Sequence, residues 1–339
     1  MTGDDETAAF RRYLRAKRTV DDRALDRRLV GILRERLADR AAATEGPLRV
    51  LEVGAGIGTM VARLIDWEVL PPGETRYVAV DRDAGTLAGL DPFLREWAAG
   101  RDEPVSVAEA ADGGETDAVV VETNSRVVQV ESVAADAVAY AAERPGEFDA
   151  LIGMALLDVL DLTGLETLLD ALAPGGTYYF PITFDGGTRF RPFHPADRAI
   201  ERRYHAHMDA KPGGSSRAGG DALARLRGIE GASLLGAAGS DWVVRPVEGA
   251  DRQTAPESPY PGDEAFFLRY ILDTVEEAIG EVIEGTVEGP SARTLSEDDE
   301  DPAAELDAWL ARRRRQVDAG ELVYLTHQLD LLGRVGPEE

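Results

Sequence analysis

Three glycines alternate with other residues in the segment Gly54–Gly58, which follows an apolar run and precedes a predicted helix. Glycine allows the backbone to turn sharply and to approach a ligand closely. The spacing is G-x-G-x-G, whereas the dinucleotide fingerprint would require a further glycine where Thr59 stands. The missing glycine and the acidic Glu52 before the loop both argue against NAD. A phosphate-binding P-loop is excluded, because neither lysine of the chain is followed by serine or threonine.

Two carboxylates follow the next apolar runs of the chain. Asp81 ends the run Tyr77–Asp81, and Asp136 comes directly after the run Val127–Val133. A carboxylate after a second strand can accept hydrogen bonds from both hydroxyls of a ribose, and one after a third strand can accept from an adenine amino group. The carboxyl ends of parallel strands meet at one edge of an open sheet, where ligands bind. A glycine turn with two solvated aspartates is the simpler interpretation, but the order of the three features favours a nucleoside site.

This order resembles that of the class I S-adenosylmethionine-dependent methyltransferases over roughly residues 48–184. Phe148-Asp149 at the start of the fourth run and the turn Ala173–Gly176 before the fifth also match the family. The Asn/Asp-Pro-Pro-Tyr signature of methylases acting on planar nitrogens is absent, and Gly153–Asp158 stands in its place. That departure disfavours adenine-N6 and glutamine-amide acceptors and is typical of the branch that acts on small molecules.

The resemblance implies S-adenosylmethionine as the cofactor and gives a role to each matching residue. The three glycines would line its methionine part, Asp81 would hold the ribose and Asp136 the adenine. Arg82 and Ala137 would flank the adenine ring, and Met154 would face the region of methyl transfer. The expected cofactor-binding residues are Glu52, Gly54, Gly56, Gly58, Asp81, Arg82, Asp136, Ala137 and Met154.

The methyl acceptor is predicted from residues beyond the fifth apolar run. Arg189 and Arg191 belong to a local basic segment of a very acidic chain, and arginine suits a carboxylate or phosphate clamp. We therefore expect a small, anionic acceptor at these two residues, although a solvated helix face is the simpler interpretation. His205 or His207 is the candidate general base, since a neutral imidazole is available near pH 7. The two histidines lie about 200° apart around a helix, so no metal site is expected.

Short apolar runs alternate with helical stretches from Leu48 onward. The runs are Arg49–Val53, Tyr77–Asp81, Val127–Val133, Phe148–Met154 and Thr177–Phe184. Such alternation predicts five parallel strands joined by right-handed crossovers. The predicted fold class is therefore α/β, with a doubly wound, mostly parallel seven-stranded sheet and helical cap insertions. Antiparallel strands from 232–246 and 320–333 would complete the seven.

Three regions follow from this pattern. Residues 1–47 would form an N-terminal helical cap of two helices, broken near Thr19. Residues 48–184 would form the cofactor-binding core, with an inserted hairpin near 105–126. Residues 185–339 would complete the sheet and add a helical substrate cap, with the acidic run Ser296–Pro302 as an exposed loop.

The composition excludes several other classes of protein. The chain has 339 residues with 63 acidic against 37 basic side chains, a net charge of −26, and no cysteine. This charge argues against nucleic-acid binding, which needs clustered cations, and indicates a halophilic host with an acidic proteome. No apolar run approaches the roughly 18–20 residues of a membrane span, and the acidic N-terminus does not resemble a secretory signal. We expect a cytoplasmic protein with a small-molecule partner; the oligomeric state is not predicted.

The sequence thus predicts a methyltransferase that moves a methyl group from S-adenosylmethionine to an O or N atom of a small metabolite. Two alternatives stay open. One is another enzyme that uses a nucleoside cofactor on the same fold, such as an aminopropyl transferase or an NAD-dependent oxidoreductase. The other is a catalytically silent module that binds the cofactor as a sensor or scaffold.

Overall fold

The structure is a computed structural model that describes residues 3–110, 118–247, 258–286 and 301–336. The middle of the predicted hairpin near 105–126 lies outside these ranges. The predicted acidic loop Ser296–Pro302 also lies outside them, except for its last two residues, which begin a helix.

Ten strands of the described chain form one sheet. In chain order they are β1 (Leu48–Val53), β2 (Gly73–Asp81), β3 (Ser106–Glu109), β4 (Ala118–Glu122), β5 (Arg126–Ala134), β6 (Phe148–Ile152), β7 (Leu172–Arg191), β8 (Ala232–Gly239), β9 (Trp242–Val244) and β10 (Val323–Val335). The centre of the sheet runs in the order β5-β2-β1-β6-β7 with every neighbouring pair parallel. The prediction of five parallel strands is confirmed.

Antiparallel pairs extend this parallel centre on both sides. The hairpin of β3 and β4 adds to the outer edge of β5, at the position of the predicted insertion. On the other side β10 pairs with β7, β8 and β9, all antiparallel. The predicted number of seven strands is therefore wrong. The hairpin strands join the main sheet, and the segment 232–246 supplies two strands because it bends between Gly239 and Trp242.

Helices cover both faces of the sheet. They are α1 (Gly3–Ala24), α2 (Arg27–Ala43), α3 (Thr59–Asp66), α4 (Ala84–Leu87), α5 (Leu90–Ala99), α6 (Ala137–Ala142), α7 (Leu165–Asp170), α8 (Asp197–Ala210), α9 (Ala218–Leu226), α10 (Glu264–Ile283) and α11 (Pro302–Ala319). The local sequence explains both ends of α11. Asp301 caps its first turn ahead of Pro302, and Gly320 ends it in the left-handed conformation. No helix in the described ranges is long and apolar enough to cross a membrane.

Side chains of the central strands alternate between two buried clusters, one on each face of the sheet. Val50 and Ile152 belong to the larger cluster, under α2, α3, α5 and α10. Leu51 and Leu151 belong to the smaller one, under α6, α7 and α9. The period of two along each strand therefore places helices on both faces, which is the doubly wound arrangement.

The first two helices separate later in the chain than predicted. The break lies at residues 25–26 rather than near Thr19, because Asp26 caps α2 by accepting a hydrogen bond from the Leu29 amide at 2.8 Å. Helix α2 then packs on the sheet, whereas α1 crosses to α10. Buried Glu264 of α10 accepts two hydrogen bonds from the Arg23 guanidinium and one from the Thr19 hydroxyl, at 2.6–2.9 Å. Helix α1 is thereby fixed over one edge of the sheet.

Candidate functional site

A cavity of about 870 Å³ opens at the carboxyl ends of β1, β2, β5 and β6. Helix α1 covers it, and α8, α10 and β10 form its far wall. Of the nine predicted cofactor-binding residues, eight line the cavity: Glu52, Gly54, Gly56, Asp81, Arg82, Asp136, Ala137 and Met154. The ninth, Gly58, lies behind the loop at the start of α3.

The glycine loop is tied to the neighbouring strand. The amides of Gly54 and Ala55 both donate to the Val80 carbonyl, at 2.9 and 3.0 Å. All three glycines have φ between 56° and 78°, a region that other residues rarely adopt. A Cβ atom at Gly56 would lie 3.0 Å from Leu14 of α1, and one at Gly58 would lie 2.9 Å from Leu90. The glycines are thus required both by the turn and by the helices packed against it.

Asp81 joins the second strand to the glycine loop. Its Oδ2 accepts a hydrogen bond from the Gly56 amide at 2.8 Å, and its Oδ1 accepts from the Asp83 amide at 2.9 Å. Each carboxylate oxygen has a second lone pair, so both can still accept a hydroxyl from a ligand. The carboxylate is therefore held in one orientation at the cavity wall.

Asp136 has a structural role as well as a place in the cavity. It is the N-cap of α6, where its Oδ1 accepts from the Ala139 amide at 2.9 Å. The side chain is exposed, and Ala137 and Val138 continue the wall beside it. Arg82, also exposed, lines the cavity one residue after Asp81. The helix cap alone explains Asp136 locally, and its position at the cavity edge leaves its remaining lone pairs available to a ligand.

Glu52 lies at the inner end of the cavity and is 2% exposed. Its Oε2 accepts a hydrogen bond from the Tyr77 hydroxyl at 2.8 Å. Burial raises the pKa of Glu52 to about 8, although the hydrogen bond from Tyr77 and the charge of Arg63 act in the opposite direction. The carboxyl group is accordingly protonated at neutral pH. Arg63 lies nearby, with Nη1 3.4 Å from the Met154 sulfur.

One face of α1 lines the cavity. Phe10, Tyr13, Leu14 and Lys17 follow the spacing i, i+3, i+4, i+7, which places them on the same side of a helix. Lys17 is 4% exposed; its ammonium donates to Asp21 Oδ2 at 2.8 Å and lies 5.1 Å from the Trp242 ring centroid. The sequence pattern contained this signal, since these four residues already have helical spacing.

The far wall contains residues that the sequence analysis did not assign. Tyr204 of α8, Tyr270 of α10 and Tyr324 of β10 line this wall, and Tyr13 of α1 lines the cavity from the covering helix. Polar groups there include Asp158, after β6, and Gln328, on β10. These residues come from distant parts of the chain, so no local motif connects them.

Arg189 and Arg191 do not lie where the acceptor prediction placed them. Strand β7 continues beyond Phe184 to Arg191, paired with β10 throughout that extension. Side chains alternate along it, so Thr188 and Phe190 are buried whereas Arg189 and Arg191 are exposed. Neither arginine lines the cavity. We therefore do not assign them to acceptor binding.

The two candidate bases also lie outside the cavity wall. Helix α8 presents Tyr204 and Met208 to the cavity. His205 Nε2 lies 3.3 Å from the Thr188 hydroxyl, and burial lowers the pKa of the imidazole. His207 Nε2 lies 2.8 Å from Glu281 Oε2 and so connects α8 to α10. Neither histidine is among the residues that line the cavity, and neither is kept as a catalytic candidate.

No group of three or more metal-binding side chains occurs within the described residues.

Similarity to known proteins is confined to structure. No protein-family model and no curated protein sequence matches the chain. Among solved structures, phosphoethanolamine N-methyltransferase 2 of Haemonchus contortus, solved with S-adenosylhomocysteine, is 14% identical with a TM-score of 0.36. That match covers 90% of this chain and 52% of the other, so the chain spans about half the length of the Haemonchus protein.

A methyltransferase from Geobacter sulfurreducens, dependent on S-adenosylmethionine and solved with S-adenosyl-L-homocysteine, is also 14% identical, with a TM-score of 0.38. Here the match covers 89% of this chain and 90% of the other. Coclaurine N-methyltransferase bound to N-methylheliamine is 10% identical with a TM-score of 0.35, covering 91% and 71%.

Proposed function

We propose that the protein is a methyltransferase that uses S-adenosylmethionine to methylate an O or N atom of a small molecule. The observation that carries this proposal is the Asp81 carboxylate, which the Gly56 amide holds in the cavity wall. The part of the same cavity lined by Tyr13, Tyr204, Tyr270 and Tyr324 is called the chamber. One end of the cavity suits a nucleoside, and the other end has room for a second, smaller molecule.

The residues present fit the cofactor. A Cβ at Gly54 or Gly56 would crowd Leu156 or Leu14, which line the cavity, so glycine at these positions keeps this part of the cavity open for a ligand. Asp81 would accept from the ribose hydroxyls and Asp136 from the adenine amino group. Gly54 and Gly56 would border the methionine part, and Met154 the region of methyl transfer. When bound, S-adenosylmethionine supplies an activated methyl group on a sulfonium.

The chain itself supplies orientation and exclusion of water. Helix α1 lies over the glycine loop through Leu14, and its face from Phe10 to Lys17 separates the cavity from solvent. A cavity closed in this way holds donor and acceptor in line, which converts a bimolecular displacement into a step within one complex. The buried tyrosines around the chamber would position the acceptor.

The earlier expectation of an anionic acceptor has no support from the cavity, because Arg189 and Arg191 are exposed outside it. NAD is the main competing ligand, since it also needs a carboxylate after the second strand. The glycine spacing argues against it, because Thr59 occupies the place of the third fingerprint glycine.

Calorimetry with S-adenosylhomocysteine tests the proposal. We expect the wild-type protein to bind it, with no comparable heat from NAD or NADP. Asp81→Ala should weaken binding by ~1–3 kcal/mol, because ribose hydroxyls are left without an acceptor. Asp39→Ala, which removes an exposed carboxylate of α2, is the matched control and should bind as the wild type does.

Transfer is then measured by incubating the protein with methyl-labelled S-adenosylmethionine and a pool of small metabolites. Label should move to the metabolite fraction with wild-type protein and not with Asp81→Ala at a limiting cofactor concentration. Equal binding of S-adenosylhomocysteine by the wild type and Asp81→Ala would refute the ribose assignment. Stronger binding of NAD than of S-adenosylhomocysteine would refute the choice of cofactor.

A further inference from the structure

The cavity has far more acidic than basic side chains. Its wall contains two cationic groups, Lys17 and Arg82, against six carboxyl groups: Glu52, Asp81, Asp83, Asp136, Asp158 and Asp161. Arg82 is at the nucleoside end, beside Asp81 and Asp83. The chamber beyond Met154 therefore has one cation, the Lys17 ammonium.

That cation is already neutralised. Lys17 Nζ donates to Asp21 Oδ2 at 2.8 Å, and the Trp242 indole donates to the other oxygen of Asp21 at 2.9 Å. All three groups are buried. If the Lys17 ammonium moved toward a bound anion, its hydrogen bond to the buried Asp21 carboxylate would weaken, and the free energy of unfolding would fall. Among the described residues, the two cationic side chains near Met154 and Trp242, Lys17 and Arg63, already have acidic partners on α1, in Asp21 and Asp22 respectively.

Two residues that line the cavity, Asp158 and Gln328, each have a side-chain oxygen without a hydrogen-bond partner among the described residues. Asp158 Oδ1 and Gln328 Oε1 are buried and accept no hydrogen bond within the described part of the chain. A buried polar atom without a hydrogen bond destabilises the folded state by about 1–3 kcal/mol. Burial also raises the pKa of Asp158, with Lys17 acting in the opposite direction. Because Asp158 and Gln328 both line the cavity, a ligand that brings hydrogen-bond donors would suit these two side chains.

The walls around Asp158 are aromatic. Burial, and next the charge of Asp158, raise the pKa of Tyr204 to about 12, so its hydroxyl stays neutral. Tyr13 and Tyr270 stack with their ring centroids 4.4 Å apart on another side of the chamber. Aromatic faces attract cations, as the position of the Lys17 ammonium 5.1 Å from the Trp242 ring already shows. A cavity wall with several tyrosine rings and a carboxylate that has one oxygen without a hydrogen bond suits an ammonium ion.

We propose that the acceptor is an amine that enters as an ammonium ion and is bound by the Asp158 carboxylate within the rings of Tyr13, Tyr204 and Tyr270. This inference rests on the proposed methyltransferase function and specifies its substrate class. The Gln328 carbonyl oxygen accepts a second hydrogen bond from the amine or from a hydroxyl beside it.

The same carboxylate accepts the proton that the ammonium group must lose before methyl transfer. An ammonium nitrogen has no lone pair, so one N–H proton passes to the Asp158 carboxylate and leaves a neutral amine. The nitrogen lone pair then forms a bond to the methyl carbon as the bond from that carbon to sulfur breaks. The product is an N-methylammonium ion, and the sulfonium charge is removed from the donor.

Binding of matched ligands tests the substrate class without depending on turnover. Protein saturated with S-adenosylhomocysteine is titrated by calorimetry with 2-phenylethylamine, 2-phenylethanol and 3-phenylpropionate, and with butylamine, 1-butanol and butyrate. We expect each amine to bind at least about tenfold more tightly than its alcohol and carboxylate counterparts, as for a buried charge pair. Asp158→Asn keeps the shape of the side chain and should abolish that preference.

The control variant is Asp170→Asn, which changes an exposed carboxylate at the end of α7 and should keep the preference for amines. Asp158→Asn should also bind S-adenosylhomocysteine as the wild type does, which shows that it folds. The inference is overturned if no amine binds more tightly than its alcohol, if carboxylates bind best, or if Asp158→Asn keeps the preference. Failure of the wild type to bind S-adenosylhomocysteine would instead refute the proposed function.

Discussion

Replacing Glu52 by glutamine should change how stability depends on pH. Burial raises the pKa of Glu52 in the folded protein to about 8, compared with 4.5 for a free side chain. Between these two values the unfolded chain has lost the proton while the folded protein keeps it. The folded state therefore binds more protons, and the Glu52 contribution to stability falls as pH rises from about 4.5 to about 8.

The displacement of the Glu52 pKa from 4.5 to about 8 corresponds to about 5 kcal/mol between the two ends of this range. Glutamine cannot ionise, but its carbonyl oxygen can still accept the hydrogen bond from Tyr77. The difference in unfolding free energy, wild type minus Glu52→Gln, should therefore decrease by up to this amount from pH 4.5 to pH 9. Subtraction removes the titration of every group that the substitution leaves unchanged.

Urea unfolding followed by circular dichroism at half-unit pH steps gives this difference directly. Glu74→Gln, an exposed substitution on the neighbouring strand β2, is the control and should give a curve parallel to that of the wild type. A constant difference for Glu52→Gln across the whole pH range would show that Glu52 is ionised in the folded protein and would refute the reasoning.

Two further predictions concern the frame of the site. Gly58→Ala should lower the free energy of unfolding by at least ~1 kcal/mol more than Gly231→Ala. Both glycines have positive φ, but only a Cβ at residue 58 would meet Leu90, at 2.9 Å. Thermal unfolding of the two variants measures this difference. Asp330→Ala should lower the free energy of urea unfolding by at least ~3 kcal/mol, since the buried carboxylate accepts from two amides and a tyrosine hydroxyl at 2.9–3.0 Å. Tyr179→Phe removes one of those donors and should lower it by ~1 kcal/mol. Equal losses in either pair would contradict the structural explanation.

Local sequence features were sufficient to predict the centre of the molecule. The runs that became β1, β2, β5, β6 and β7 are short, apolar and separated by amphipathic stretches, so their parallel pairing follows from general rules of chain topology. The glycine loop and the two acids after neighbouring strands belong to the same set of local signals, and the structure brings them to one edge.

Contacts between distant segments were not predictable in the same way. Arg189 seemed close to the site because β7 was expected to end at Phe184, and only the pairing with β10 extends it. The register of a long antiparallel pair depends on two segments together, so neither sequence alone determines which side chains turn inward. His205 and Tyr204 are adjacent in sequence, and the packing of α8 decides that the tyrosine, and not the histidine, lines the cavity.

The position of β10 also determines when the cavity wall is completed during synthesis of the chain. Strand β10 lies between β7 and β8, both of which leave the ribosome before it does. Until it emerges, those two strands have unpaired edges toward each other, which are open to pairing with other chains. Tyr324 and Gln328 of β10 are also part of the cavity wall. The part of the cavity that contains Tyr324 and Gln328 is therefore completed only when β10 has been released and has paired with β7 and β8.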